Sequence, residues 1–127
     1  MLRASIREPQ SVIALFAEFD SCSAVAPLQY KCTVDALRAA LIGRSAEQLK
    51  ELEGGARALV DTLAICLQAS TLLQHGDSEV ADAFIATRFC KARDGLLTVH
   101  NMGAVTGSTL SADVITKLLV RLDVQQV

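Results

Sequence analysis

Apolar residues recur along this chain at steps of three and four, the spacing of a helix face, in runs separated by glycines, prolines and capping residues. The densest run lies between Arg57 and Phe89. There Leu59, Leu63, Cys66, Ser70 and Leu73 form one stripe, and Val60, Ala64, Leu67 and Thr71 form a second beside it. Only Arg57 and Asp61 carry charge on this rod, both near its start. A helix apolar on two stripes must be covered on more than one side, as the centre of a bundle or half of a subunit interface. The rod is expected to stop at His75, with Gly76 in the left-handed conformation that closes a helix. Asp77 then supplies an N-cap oxygen, and Val80, Ala83, Phe84 and Ala86 continue a second, antiparallel helix to about Cys90 or a little beyond.

The rest of the chain reads as helix too. Pro9 suits a first helical turn, and Val12, Ile13, Phe16 and Phe19 share a face. Pro27 starts a helix carrying Val34, Leu37 and Leu41, which Gly43 stops. Ser45 and Gln48 make a capping box, and Gly54 with Gly55 forces a kink or break before Ala56. The segment after Arg93 is a glycine-punctuated loop in which any extended structure is expected to be unpaired. Ser108 to Ser111 cap a last helix with Val114, Ile115, Leu118, Leu119 and Leu122 on one face. The spacing therefore predicts an all-α fold, an antiparallel helical bundle forming a single domain over 1–127. Its helices fall at about 9–20, 27–42, 45–53, 56–75, 78–92 and 111–123.

Composition narrows the filling of that bundle. The chain is 51% hydrophobic but only 4% aromatic, with no Trp, so its interior is built from Leu, Val, Ile and Ala. A net charge of −2 gives no global field for a polyanion, and any DNA contact needs a local patch. Arg88, Lys91 and Arg93 are the candidate, although cations at a helix C-terminus ordinarily offset its dipole. Arg3, Arg7, Glu8 and Pro9 interrupt any signal-peptide core, and the longest uncharged run, Thr62 to Gln74, is shorter than the roughly 20 residues of a membrane span. No membrane partner and a cytoplasmic location are expected. Cys22, Cys32, Cys66 and Cys90 lack the paired spacings of zinc sites or redox dithiols and read as reduced, small hydrophobes.

No catalytic, cofactor-binding or metal-ligating residue is predicted. His75 and His100 share no face with a second ligand, and Gly54-Gly55 follows no strand and precedes no Lys-Ser or Lys-Thr of a phosphate loop. Asp61 and Asp82, the acids nearest the apolar hairpin, are expected to cap, to be solvated or to meet an arginine rather than to pair with each other.

Leu2, Arg3, Ala4, Glu8 and Pro9, then Leu63, Ala64, Leu67, Gln68, Ala69, Leu72, Leu73 and His75, and finally Val80, Ala81, Asp82, Ala83, Phe84 and Arg88 carry a family likeness. At these positions the chain closely resembles the C-terminal helical region of AidB-like flavoproteins, the alkylation-response branch of the acyl-CoA dehydrogenase superfamily. The likeness covers most of the chain and fades after Phe89, where Gly107, Thr109 and Leu110 match only loosely. It implies a parent enzyme that uses FAD to oxidise the CH–CH bond of an acyl-CoA thioester, with the flavin-binding domains and catalytic carboxylate upstream. Met1 then falls where an internal residue belongs, as in a truncated gene model or natural fragment. Arg3 would lie near the edge of the flavin and substrate cavity.

Three functions follow as expectations. The first is the C-terminal helical domain of such a flavoprotein, partnered by its remainder, supporting assembly or DNA proximity and inactive alone. The second is a free-standing homo-oligomeric module that associates through Leu59, Leu63, Cys66, Leu67, Ser70 and Leu73. The third is a small DNA-binding protein using Arg88, Lys91 and Arg93.

Overall fold

Caps and glycines divide the chain where the spacing predicts. The computed structural model describes residues 7–91, 97–99 and 111–124. Helix α1 spans Pro9–Ser21, α2 Leu28–Leu41, α3 Ala46–Glu51, α4 Ala56–His75, α5 Ser78–Arg88 and α6 Ala112–Val124. Pro9 sits in the first turn of α1. The Ser45–Gln48 capping box is closed in both directions, at 3.3 and 3.0 Å. The Asp77 carboxylate accepts from the Glu79 amide at 2.9 Å, and the Ser111 hydroxyl oxygen accepts from the Val114 amide at 3.4 Å. The paired glycines close a single 3-10 turn, Leu52–Gly55, so the break expected there is a tightening that runs straight into α4.

Three details differ from expectation. Gly76 is extended, at φ −90 and ψ 179, not left-handed. A Cβ there would lie 2.6 Å from the Leu72 carbonyl oxygen, which already accepts the Gly76 amide at 2.8 Å, so glycine is required by close approach. Among the described residues the left-handed one is Gly43, at φ +73 after α2. Helix α5 ends at Arg88 and gives way to strand β1, Phe89–Lys91, which pairs antiparallel with β2, Leu97–Val99. Continuing the helix would gain backbone hydrogen bonds worth about 1 kcal/mol net each. Turning out of it instead buries the Phe89 ring, worth about 2–3 kcal/mol, beside Tyr30 with ring centroids 6.0 Å apart. The ribbon restores backbone pairing, so burial decides the direction of the chain.

The fold is all-α apart from this short ribbon, with α4 at its centre against α1, α2 and α5. The core joins Phe16 and Phe19 of α1, Tyr30, Val34, Leu37 and Leu41 of α2, Leu49 of α3, Leu63, Ile65, Cys66 and Ala69 of α4, and Ile85 of α5. The last carbonyls of α1 lack the next helical amides, so side chains supply donors: the Ser21 hydroxyl of α1 itself donates to the Glu18 carbonyl at 2.6 Å, and other elements add more. The Ser70 hydroxyl of α4 donates to the Glu18 carbonyl at 3.2 Å, and the Tyr30 hydroxyl of α2 donates to the Phe19 carbonyl at 3.3 Å. On the outer side Arg38 bridges Asp20 at 2.6 Å and lays its guanidinium 5.3 Å from the Phe16 ring centroid. These contacts fix α1 and α2 against one side of α4.

Candidate functional site

The covered side of α4 determines what its other side presents. Leu63, Cys66 and Ser70 are buried within the chain itself, Leu59 and Leu73 are half-buried, and only Leu67 of the six residues expected at an interface is exposed. The first stripe therefore belongs to the protein's own core, because α1, α2 and α5 pack onto it. The second stripe is the outer one: Val60 is 41% and Leu67 42% exposed, with Ala64 and Thr71 exposed between and beyond them. Leu67, Gln68, Thr71 and Leu72 of α4 form, with Phe84 of α5, a shallow apolar groove of about 470 Å³. The Arg88 guanidinium lies 5.3 Å from the Phe84 ring centroid and covers that end of the aromatic surface.

The run Ala46–His75 is long and apolar enough to cross a membrane by length and composition, and 28% of its most apolar window is buried. A second apolar recess, of about 280 Å³, lies between the start of α1 and the α2–α3 turn, with Val12, Ile13, Leu41, Ile42 and Leu49 in its wall. The sequence signal for it was Ile13 on the α1 face beside Ile42 just before Gly43. That spacing alone did not reveal that the two would meet.

Inside the protein, Cys22, Tyr30, Cys66 and Ser70 gather around the end of α1. The Cys22 thiol donates to the Phe19 carbonyl at 3.3 Å. Burial pushes the Cys66 thiol up to about 12, with neighbouring Cys22 adding to the effect. Burial likewise raises the Tyr30 phenol, with its Cys22 hydrogen bond acting in the same direction. A protonated, enclosed thiol is a poor nucleophile and metal ligand, so the cluster's chemistry at neutral pH is hydrogen bonding.

The remaining sequence candidates are scattered. Asp61 is half-buried and Asp82 exposed, and neither joins an ion pair among the described residues. His75 is exposed at the end of α4, and among the described residues no group of three or more His, Cys, Asp or Glu side chains could hold a metal. Of the basic cluster, Arg88 rests on Phe84, Lys91 lies in β1, and Arg93 falls outside the described residues, as do Arg3 and His100. Helix α6 half-buries Val114 and Leu118, leaves Ile115, Leu119 and Val120 exposed, and is tied to α5 by the Lys117–Glu79 ion pair at 2.8 Å. The chain matches no protein-family model, no curated protein and no solved structure.

Proposed function

We propose that this chain is the C-terminal helical domain of an AidB-like acyl-CoA dehydrogenase homologue, and that its role is assembly through the outer face of α4 and α5. One observation carries the reading. Leu67, Gln68, Leu72 and Phe84, four of the five residues lining the α4–α5 groove, are among the positions that resemble the family; Leu72 and Phe84 are half-buried, Phe84 against the core, while Leu67 and Gln68 are exposed. The chain's own packing does not account for an exposed Leu67 beside a partly open Phe84 ring, and a joint to a further polypeptide surface does.

Within this reading FAD belongs to the upstream part of the parent protein, which carries the CH–CH oxidation of acyl-CoA, and the location is cytoplasmic. The test is the genomic DNA upstream of Met1. In-frame sequence encoding a glycine-rich flavoprotein segment with a catalytic glutamate, running into Leu2-Arg3-Ala4, is the expected result, and in-frame stop codons would overturn it. The free-standing self-association module is the second reading, favoured by the exposure of Val60 and Leu67 in the single chain.

A further inference from the structure

The recess between the start of α1 and the α2–α3 turn has fixed walls. Leu41 and Leu49, both buried in the core, form its floor, and the turn beside it is held by Gly43 at φ +73 and by the closed Ser45–Gln48 capping box. Such a preformed site receives a ligand without first reordering the chain, which removes one cost of binding. Its rim is apolar yet open. Ile13 is 54% and Ile42 43% exposed, and both line this same recess. At about 280 Å³ the space suits a compact group rather than a long chain or a helix.

One charge borders this apolar space. Arg44 is the sole ionisable residue among those lining it, and among the described residues it joins no ion pair. Its Nε donates to the Ala39 carbonyl at 3.1 Å, which braces the side chain against the end of α2 and leaves the two Nη groups for another acceptor. A guanidinium edge pairs with a carboxylate through two parallel hydrogen bonds. Exposed Glu8 and Glu47 adjoin the lining residues Pro9 and Ala46 in the chain, so the local charge disfavours a dianion such as a phosphate monoester. A singly charged acid with a compact apolar body satisfies both the cation and the exposed isoleucines.

We infer that this recess binds a small free carboxylic acid as its anion, with the carboxylate on Arg44 and the apolar body between Ile13 and Ile42. The site lies apart from the α4–α5 groove and does not depend on the assembly role. Cyclohexanecarboxylate titrated into the isotope-labelled chain is expected to shift the amide signals of the first turns of α1 and of residues 41–49 saturably, with a dissociation constant of about 0.1–1 mM. Cyclohexylmethanol lacks the charge and acetate lacks the apolar body. Each is expected to bind about tenfold more weakly or worse. Arg44→Met, at an exposed position, is expected to weaken binding of the acid by about tenfold while leaving the circular dichroism spectrum unchanged. Equal binding of the acid and the alcohol, shifts that map away from the recess, or an Arg44→Met protein that binds the acid like the wild type would overturn the inference. The ligand comparison is made on the wild type, so it decides the matter even where a substitution disturbs the turn.

Discussion

The Ser70 hydroxyl donates to the Glu18 carbonyl at 3.2 Å, joining residues 52 positions apart, and the same oxygen accepts from Gln74 at 2.9 Å. One fully buried serine thus closes the end of α1 onto the centre of α4. Ser70→Ala removes this donor while the Glu18 carbonyl keeps the Ser21 hydroxyl at 2.6 Å, so the loss is that of one hydrogen bond, about 0.5–1.5 kcal/mol. The expected outcome is a lower urea midpoint with an unchanged slope. An unchanged midpoint would mean that the contact contributes nothing net.

Glycines at the two ends of α4 respond oppositely to the same change. At Gly76 an added Cβ meets the Leu72 carbonyl oxygen at 2.6 Å, so Gly76→Ala forces the turn to shift and is expected to destabilise by about 1–3 kcal/mol. At Gly55 φ is −104 and nothing lies within 4 Å of the added atom. There alanine mainly restricts the unfolded chain, for an expected gain of about 0.4–1 kcal/mol. Thermal melts of the two variants beside wild type decide the matter. Shifts in the same direction would contradict the geometry.

What was legible in the sequence was local chemistry. Ser45 with Gln48, Asp77 before α5 and Pro9 in the first turn of α1 act within a few residues, and each does what its position implies. Gly76 was misread because its need for a missing side chain comes from the Leu72 carbonyl folding back over it, not from its own backbone angle. The β1–β2 ribbon was missed because its pairing is set by Phe89 seeking Tyr30, a contact between distant segments. Spacing showed two stripes on α4 but not which one would be covered, since α1, α2 and α5 make that choice by docking. Ser70 was read as a member of an apolar stripe, and its burial agrees. Its hydrogen bond to Glu18 exists only once α1 is in place.

Alkaline conditions are expected to loosen the fold through Cys66. Its thiol is raised to about 12 by burial, whereas an unfolded cysteine titrates near about 8.5. Below the unfolded value both states hold the proton and the group does not affect stability differentially. Above it the unfolded state releases its proton while the folded state keeps it, so stability falls by about 1.4 kcal/mol per pH unit until the folded thiol also ionises. The Tyr30 phenol, raised by burial, acts in the same direction at higher pH. Melting temperatures measured from pH 7 to pH 10.5 should decline, and more gently in Cys66→Ala. Equal slopes in the two proteins would remove Cys66 from the explanation.

Thiol accessibility separates the covered stripe from the outer surface. Cys32 is exposed on α2, whereas Cys22 and Cys66 are buried at the α1–α4 joint. Alkylation requires a thiolate in contact with the reagent, and Cys66 lacks both because it is enclosed and its proton is held to about 12. Its modification therefore waits for α1 to lift from α4, a motion that breaks the Ser70–Glu18 and Tyr30–Phe19 hydrogen bonds together with the surrounding apolar packing. N-ethylmaleimide followed by peptide mapping should mark Cys32 promptly in the native protein, and Cys22 and Cys66 only in denaturant or on the timescale of global unfolding. Ser70→Ala should accelerate the marking of Cys66 while leaving Cys32 unchanged. Prompt labelling of Cys66 in the native wild type would place the first stripe of α4 on an accessible surface and refute the division of the helix into a covered and an outer face.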